Sequence, residues 1–413
     1  MSWTRTRLKF LADVPVRNGI GEPGEQDNPD WPRYVRTTDI AGPRELRSDT
    51  FKSLPPSVAD GAKLLPGDLV MVAAGATVGK SYLHTTSIPA CFAGYLVRFR
   101  AKGGVDPRFV AYWTQSRPYL DQVSVGAVRS TIDNVSAGKY QNLLLEIPDL
   151  EEQRRIADFL DAETRVACKI TTLRAQQKVR IHERQSAELV ARLLPAASGD
   201  GRSMTRLKHL FSSVRGGLWG AEPAGDDGDV ICVRVADFDR KRMTAGSRAE
   251  TRRSLDPGRL RSRVLRPGDV LLERSGGGDK APVGCAVSFD GVARSVCSNF
   301  VAALRPVSGV HPRYAGLLLA ACYHGGRTIP FIKQTTGIQN LDGSAYLAQS
   351  VALPSMGEQR GIARELDRSI VEHLSLAGAI DAQINLLAER RQALITAAVT
   401  GQLDVRTARR ARE

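Results

Sequence analysis

Apolar residues recur every three or four positions along two long stretches, which predicts amphipathic helices at 151–198 and 356–403. A helix of that length reaches roughly 65 Å, further than a small domain extends. Each helix must therefore pack against another long helix. We expect the two to pack against each other as an antiparallel coiled coil.

The predicted packing seams are mostly aliphatic, with polar interruptions. The seam positions are Phe159, Val166, Ile170, Leu173, Ala187, Ala191 and Leu194 in the first helix, and Leu366, Ile370, Ala377, Ile380, Ile384, Leu387, Leu394 and Ala398 in the second. The interruptions are Gln177, Arg180 and Arg184 in the first helix and His373 and Arg391 in the second. Two interpretations stay open: partly exposed flanking positions, or polar contacts between the helices that set their register.

The segments before the helices have a different pattern. Residues 1–150 and 199–355 are rich in glycine, proline and β-branched residues, and their short apolar runs at 69–72 and 270–272 follow Pro-Gly-Asp turns. Residues 106–119 and 311–324 have helical spacing, with a proline in the first turn. This mixture predicts two α+β domains, and a basic tail follows the second helix at 404–413.

The chain also repeats itself once. The matched segments are 6–11 and 205–210, 35–40 and 233–238, 66–69 and 267–270, 106–109 and 311–314, and 152–157 and 358–363. Their order is kept while their spacing drifts, as loop insertions within a duplicated unit would produce. We predict two similar globular domains separated by the long helices, with an internal pseudo-two-fold repeat.

Charge and cysteine content narrow the class of protein. The net charge is +14, from 58 Lys and Arg against 44 Asp and Glu. This excess favours a polyanionic partner, with a merely basic surface as the alternative. The six cysteines form no Cys-x-x-Cys pair and so indicate reduced, buried thiols rather than zinc or disulfides. No apolar run approaches the ~18 residues of a membrane span, so we expect a cytoplasmic protein.

Several motifs carry a resemblance to a known family. They are the Leu/Ile-Pro strand ends followed by Glu-Gln-Arg at 143–157 and 351–360, the glycine loop at 75–80, and the segments 337–341 and 391–402. On these motifs the chain resembles the DNA-specificity subunits of type I restriction-modification systems over nearly its whole length. The second copy departs from the first, with Ser-Met-Gly before Glu358 where the first has Asp-Leu-Glu before Glu152.

The resemblance implies two target-recognition domains, each specific for one half of a bipartite DNA site. It also implies long helices that dock methyltransferase subunits. The expected partners are double-stranded DNA, two methyltransferase subunits and restriction or translocase subunits, with no membrane. A methylation system without a restriction subunit is equally compatible with the sequence.

Each catalytic motif that we considered fails. Residues 75–81 resemble a phosphate-binding loop, but Ala74 occupies the first glycine position and the second copy lacks the Lys-Ser pair. Asn28-Pro29 lacks the second proline and aromatic ring of an adenine methyltransferase motif. We therefore predict a non-enzymatic chain that carries no cofactor, and we expect S-adenosylmethionine on the methyltransferase partner.

Three segments in each domain combine basic side chains with groups that hydrogen-bond base edges. The candidate DNA-binding residues are Arg36, Thr38, Lys80, Tyr82, Arg129 and Thr131 in the first domain, and Arg234, Arg274, Ser275, Lys280, Gln334, Thr336 and Gln339 in the second. For each of them a turn or a solvated face stays open as the alternative.

A further basic stretch occurs only in the second domain. It comprises Arg240, Lys241, Arg242, Arg248, Arg252, Arg253, Arg259, Arg261, Arg263 and Arg266. We predict that it is an insertion that contacts phosphates, with a solvated loop as the alternative.

Two other classes of protein remain as rivals: an RNA-binding module and a coiled-coil interaction scaffold. An RNA-binding sheet usually displays several aromatic residues, which are sparse here. A scaffold would bind its partners with little dependence on salt.

Overall fold

A computed structural model describes residues 3–126, 134–195, 203–225, 229–278, 281–291, 293–335 and 337–408. The chain divides into two compact units. Unit 1 takes its residues from 1–174 and 382–413, and unit 2 comprises 175–381.

Two long helices supply part of each unit. The first spans Leu150–Leu193 and the second spans Met356–Val399. The first helix belongs to unit 1 up to Arg174, and the second belongs to unit 1 from Ala382 onward. No helix in the described part of the chain combines the length and apolar composition needed to cross a bilayer.

The two helices begin with different caps. Asp149 Oδ1 accepts a hydrogen bond from the backbone N of Glu152 at 2.9 Å. At the second helix, Ser355 N and Oγ both donate to Glu358 Oε2, at 2.8 and 2.7 Å, as in a capping box. The sequence difference between the copies therefore exchanges one helix cap for another.

The second residue of the Glu-Gln-Arg motif ties each helix to its globular part. Gln153 Oε1 accepts from Asp106 N at 2.9 Å, and its Nε2 donates to Pro148 O at 2.8 Å. Gln359 makes the same pair of bonds, with His311 N at 2.8 Å and Pro354 O at 2.9 Å. The motif is thus a buried polar clamp, present once in each unit.

The globular part of unit 1 mixes short strands with four short α-helices among the described residues. Its strands are Thr4–Arg7, Arg17–Asn18, Arg33–Val35, Ile40–Gly42, Glu45–Leu46, Lys63–Leu64, Leu69–Val72, Ser81–Leu83, Ala90–Phe92, Leu96–Phe99 and Leu144–Ile147. Its α-helices are Pro56–Ala59, Pro107–Trp113, Arg117–Gly126 and Ala137–Gln141, with 3-10 turns at Leu8–Leu11, Thr37–Asp39 and Asp60–Ala62.

The strands of unit 1 pair in small sheets above its core. Leu96–Phe99 lies antiparallel to Leu69–Val72, which pairs in turn with Ser81–Leu83. Arg33–Val35 lies parallel to Ala90–Phe92. The core beneath joins both long helices to the strands, with Phe109, Leu160 and Ile395 in one buried cluster.

The single helix expected at 106–119 is broken in the structure. Pro107–Trp113 and Arg117–Gly126 are separate helices. Thr114 Oγ1 donates to Ala111 O at 2.9 Å and Ser116 Oγ to Trp113 O at 2.7 Å, so side chains satisfy carbonyls at the break. Pro118 has no N–H to continue the first helix, which explains the break.

Unit 2 repeats this arrangement with a larger number of strands among its described residues. Its strands are Ser203–Arg206, Phe211–Gly216, Asp229–Val233, Phe238–Asp239, Thr244–Ala245, Arg252–Ser254, Val270–Glu273, Ser275–Gly276, Ala286–Phe289, Ser295–Cys297, Val301–Pro306, Ile332–Thr335, Ile338–Leu341 and Ser350–Leu353. Its short helices are Pro257–Arg261, Pro312–His324 and Gly343–Leu347, with 3-10 turns at Leu207–Leu210, Val235–Asp237 and Ile329–Phe331.

Equivalent bonds recur in the two units. Asp68 accepts two bonds from Arg100 at 2.6 and 2.7 Å, and Asp269 accepts two from Arg305 at 2.8 and 2.7 Å. Asp229–Val233 lies parallel to Ser295–Cys297, like its counterpart in unit 1. The predicted α+β class with an internal repeat and two long helices is confirmed.

Within unit 2 the two long helices run antiparallel. Lys178 pairs with Asp381 at 2.5 Å and Arg192 with Glu365 at 3.1 Å, while Ser369 Oγ donates to Glu188 Oε2 at 2.6 Å. Ser369 also contacts the buried His373. His373 thus joins a polar contact between the helices, whereas Arg180 and Arg184 are exposed.

The predicted seam of the first helix is wrong in register toward its end. Ala187 and Ala191 are exposed, and the buried face carries Gln185, Leu189 and Leu193. Leucine gains more from burial than alanine does, so the helix turns its leucines inward. In unit 1, Leu173 of the same predicted seam is 55% exposed. Arg391, a polar interruption of the second helix, donates to Gln115 Oε1 at 2.9 Å.

Candidate nucleic-acid interface

A short turn with an internal Arg–Asp pair follows the same strand in both units. In unit 1, Arg36 N donates to Asp39 Oδ2 at 2.7 Å, and its guanidinium reaches both carboxylate oxygens at 3.1 and 3.0 Å. Arg234 and Asp237 repeat the arrangement at 2.8, 3.3 and 3.2 Å. Hydrogen bonding to Asp237 raises the pKa of Arg234. These arginines therefore hold their own turns, and the exposed Thr38 lies at the tip of the first.

The glycine loop of unit 1 lies against that turn. Gly75 and Gly79 have φ values of 100° and 85°, which favour glycine. Lys80 Nζ donates to Ile40 O at 2.6 Å, immediately after the Arg36 turn. This hydrogen bond links the glycine loop to the turn, and the Lys80 side chain is only partly exposed.

The third predicted segment of unit 1 ends beside the same loop. Ala74 and Asn134 form an antiparallel bridge, and Val135 N donates to Ala73 O at 2.8 Å. Arg129 and Thr131 lie outside the described residues. The described ends of the three segments therefore meet in one region of unit 1.

In unit 2 the corresponding segments form a small sheet. Ser275–Gly276 pairs with Ile338–Leu341, which pairs with Ile332–Thr335. Ser275 Oγ donates to Asn340 Oδ1 at 2.6 Å. Arg274 and Gln334 are exposed at this sheet, whereas Lys280 and Thr336 lie outside the described residues.

Two of the predicted DNA-binding side chains are buried. Tyr82 is 4% exposed, its hydroxyl lies 3.2 Å from His84 Nδ1, and burial raises its pKa. Gln339 is 7% exposed and accepts a hydrogen bond from Val283 N at 3.1 Å. A base contact needs an exposed side chain, so we leave both out of the proposed interface.

A buried carboxyl group lies at the base of the glycine loop in unit 2. Glu273 is 1% exposed. Its Oε2 accepts hydrogen bonds from Arg240 Nη2 at 3.4 Å and from the backbone N of Cys285 at 3.3 Å. Burial raises the pKa of Glu273, and the charge of Arg240 opposes the rise. Arg240 follows the Arg234 turn in sequence, so this pair joins turn and loop as Lys80 does in unit 1.

The basic stretch of unit 2 is only partly available to a ligand. Arg240 is held by Glu273, Arg253 stacks 4.2 Å from the ring centre of Trp219, and Arg263 donates to Gly216 O. Arg252–Ser254 is a strand paired with Asp229–Val233, in the place where Arg33 and Ser53 form a bridge in unit 1. The prediction of an insertion is therefore wrong for this strand, because unit 1 has a counterpart. The exposed members are Lys241, Arg242, Arg248, Arg252, Arg259, Arg261 and Arg266.

Two exposed aromatic residues near the glycine loops escaped the sequence analysis. Tyr95 is 69% exposed and Phe300 is 49% exposed. Ala73 N donates to Tyr95 O and Arg274 N to Phe300 O, both at 2.8 Å. Aligning the copies through their Asp–Arg pairs would have revealed an aromatic at the same place in each.

The groups that these surfaces expose are polar and basic side chains. Within the ranges that the structure describes, no group of three or more His, Cys, Asp or Glu side chains is placed to hold a metal ion. The loops expose arginine, hydroxyl and amide groups beside paired strands. Such groups bind phosphates and base edges.

Comparisons with known proteins agree with the predicted resemblance. Residues 52–180 match the family described as type I restriction modification DNA specificity domain. The chain is 24% identical over 366 residues to the type I restriction enzyme StySPI specificity subunit of Salmonella potsdam, covering 84% of this chain and 77% of that protein. It is 21% identical over 384 residues to the EcoKI specificity subunit of Escherichia coli K12, with the same two coverages.

Solved structures share the fold. A chain from a study of complex assembly and conformational transition in the type I R-M system superposes with a TM-score of 0.74 at 18% identity, covering 97% of this chain and 98% of that one. The HsdS subunit from Thermoanaerobacter tengcongensis superposes with a TM-score of 0.53 at 20% identity, covering 97% of each chain. The predicted resemblance to type I specificity subunits is thereby confirmed.

Proposed function

We propose, from the premise that this chain is related to the type I restriction-modification specificity subunits, that it recognises a bipartite DNA sequence without catalysing a reaction. Each unit would recognise one half of the target. The chain would act in the cytoplasm, together with methyltransferase subunits that bring S-adenosylmethionine and with restriction subunits.

One observation carries the proposal. In each unit an Arg–Asp turn, a glycine loop and the described part of a third segment lie beside the same strands. A duplicated surface of this kind suits a target in two parts, and the differing loop side chains suit two different half-sites. Phosphate contacts would position each unit on the duplex, while base contacts would provide specificity.

The long helices are the proposed docking site for the methyltransferase subunits. Exposed aliphatic side chains on a helix that already has a packing partner are available for a further one. Leu173 of unit 1 and Val371 and Leu376 of unit 2 have this character, at 55%, 58% and 55% exposure. Because each helix contributes to both units, we further propose that helix length sets the spacing of the half-sites.

The primary experiment compares modified bases in host DNA with the gene intact and deleted, and isolates the tagged full-length chain with its partners. We expect a bipartite methylated motif to disappear on deletion and a methyltransferase to accompany the tag. Unchanged methylation without such a partner would refute the proposal. If the isolated chain retained host RNA and lost it to an RNA competitor but not to DNA, an RNA-binding module would replace it.

A second experiment tests the spacing. One added helical turn in each long helix, placed after Arg174 and after Asp381, adds about 5.4 Å of length. At 3.4 Å per base pair, the selected half-sites should move apart by about one to two base pairs while their sequences stay unchanged. An unchanged spacer in a folded variant would refute the role of the helices in spacing.

A third measurement concerns charge. If the exposed arginines of unit 2 contact phosphates, log affinity should fall linearly with log salt concentration. Replacing Arg252 by Ala should make the slope shallower by about one unit. Equal slopes for the variant and the natural protein would remove this residue from the interface, and binding that ignores salt would favour the scaffold.

A further inference from the structure

Tyr95 and Phe300 occupy the same position of the same turn in the two units. Leu96 N donates to Ala93 O at 2.9 Å, and Val301 N donates to Ser298 O at 2.9 Å. Each bond closes a four-residue turn and leaves the aromatic as its third residue. The strand that follows each turn leads to the arginine that pairs with the buried Asp68 or Asp269: Arg100 directly after Leu96–Phe99, and Arg305 within Val301–Pro306.

The turn lies between two of the segments assigned to DNA recognition. Ala93 N donates to Val35 O at 2.9 Å, one residue before the Arg36 turn begins, and Ser298 N donates to Val233 O at 2.9 Å. The backbone carbonyl of each aromatic accepts from the first residue of the glycine-loop segment, Ala73 or Arg274. Backbone bonds thus fix the backbone of each aromatic residue between the turn and the loop.

Both rings are exposed, Tyr95 at 69% and Phe300 at 49%. A turn normally carries small or polar residues, because they suit the backbone and solvent. An aromatic ring left largely in solvent forgoes the burial that makes such residues stabilising. Since both copies keep a ring there while the residues around it differ, a ligand is the better explanation.

We propose, resting on the proposed function, that Tyr95 and Phe300 are specificity-determining residues, each of which places its ring against base edges of one half-site. The chemistry selects thymine, whose C5-methyl group makes apolar contact with aromatic and aliphatic side chains in the major groove. The hydroxyl of Tyr95 adds a donor and acceptor that Phe300 lacks, so the two units discriminate neighbouring bases differently.

The test is binding-site selection from random duplexes with the full-length chain, with its methyltransferase subunits if they co-purify. Tyr95→Ala should relax the preference for thymine in one half-site only, and Phe300→Ala in the other half-site only. Tyr95→Phe should keep the thymine preference because the ring remains.

Replacing the thymine at the affected position by deoxyuridine removes only the methyl group. For the natural protein this should weaken binding about three- to fivefold, as loss of one buried methyl group does. For the alanine variant of the same unit the replacement should have no effect. This second measurement compares two ligands on one protein, so it does not depend on the variant's stability.

Matched controls come from exposed apolar residues outside the proposed interface, one in each unit. Phe10 is 59% exposed beside the segment that bonds to Arg100, since Asp13 N donates to Arg100 O. Met204 is 58% exposed and precedes the turn whose Leu210 O accepts from Val307 N. Phe10→Ala and Met204→Ala should leave every base preference unchanged.

The outcomes separate this inference from the proposed function. If the natural protein selects a bipartite site and both alanine variants select the same site with the same preferences, the inference is overturned and the proposed function stands. Relaxed preferences in the control variants would also overturn it. If the natural protein selects no sequence, both the inference and the proposed function fail.

Discussion

The buried glutamine at the head of each long helix allows a sharp test of how the helices are held. Gln153 is 2% exposed, and its amide accepts from Asp106 N and donates to Pro148 O. Gln153→Ala removes both bonds and leaves a backbone N–H without its partner in a site that water does not reach.

The expected loss can be estimated from those contacts. Two hydrogen bonds contribute about 1 kcal/mol each, and an unsatisfied buried donor costs about 1–3 kcal/mol more. Allowing for partial relaxation, we expect unit 1 to lose about 2–4 kcal/mol of unfolding free energy. With urea slopes of about 2–3 kcal/mol per molar, the midpoint should fall by about 1 M.

Urea unfolding followed by circular dichroism measures this change, and hydrogen exchange at Asp106 assigns it to unit 1. The measurement needs both probes because two units need not unfold in a single step. Gln176→Ala, at an exposed position of the same helix, is the control and should shift stability by less than about 0.5 kcal/mol. If Gln153→Ala shifted the midpoint no more than this control, the clamp would not stabilise the unit.

Three further predictions concern other buried groups. Asp269→Ala should lower the stability of unit 2 by about 2–3 kcal/mol, because the partly exposed Arg305 loses its bidentate partner; a urea midpoint within 0.3 M of the natural value would contradict this. Cys168 is the exposed one of the six cysteines, all of which the structure describes, and burial raises the pKa of Cys91 to about 12. At pH 8 a thiol reagent should therefore modify one equivalent in the native chain and six in urea, and more than one in the native chain would refute the burial. Burial also lowers the pKa of His84 below its ordinary 6.5, so the unfolded chain binds that proton more readily and stability should fall as the pH drops below about 6.5. His84→Gln should reduce this fall, as measured by thermal unfolding at pH 5.5 and 7.5, and an unchanged difference would contradict the assignment.

The sequence could predict those features that depend on periodicity and repetition. The two long helices follow from apolar spacing over many turns, and the helix at Pro312–His324 follows from a proline start and continuous apolar spacing. The same pattern misses the break after Trp113, because the stop depends on Pro118 and two side-chain hydroxyls rather than on apolar spacing.

The candidate interface could be predicted only to the level of its segments. Residue types suggested Tyr82 and Gln339, but the sequence does not show which face of a short strand turns inward. Tyr82 fills the core below the loop, and Gln339 bonds to the backbone of the neighbouring loop. Tyr95 and Phe300 were missed for the converse reason, since an aromatic next to a strand predicts burial and only the turn geometry exposes it.

The division of the chain has a consequence for its synthesis. Unit 1 needs residues from both ends of the chain: Ile395 and Val399 complete the cluster around Phe109, against which Trp3 also packs. Unit 2 is one continuous stretch. On the ribosome, at about 5–20 residues per second, the stretch between Arg174 and Ile395 takes about 10–45 s to synthesise, and for that time the first-made part of unit 1 lacks part of its core. The amino-terminal half is therefore the part that needs protection from aggregation or proteolysis before translation ends.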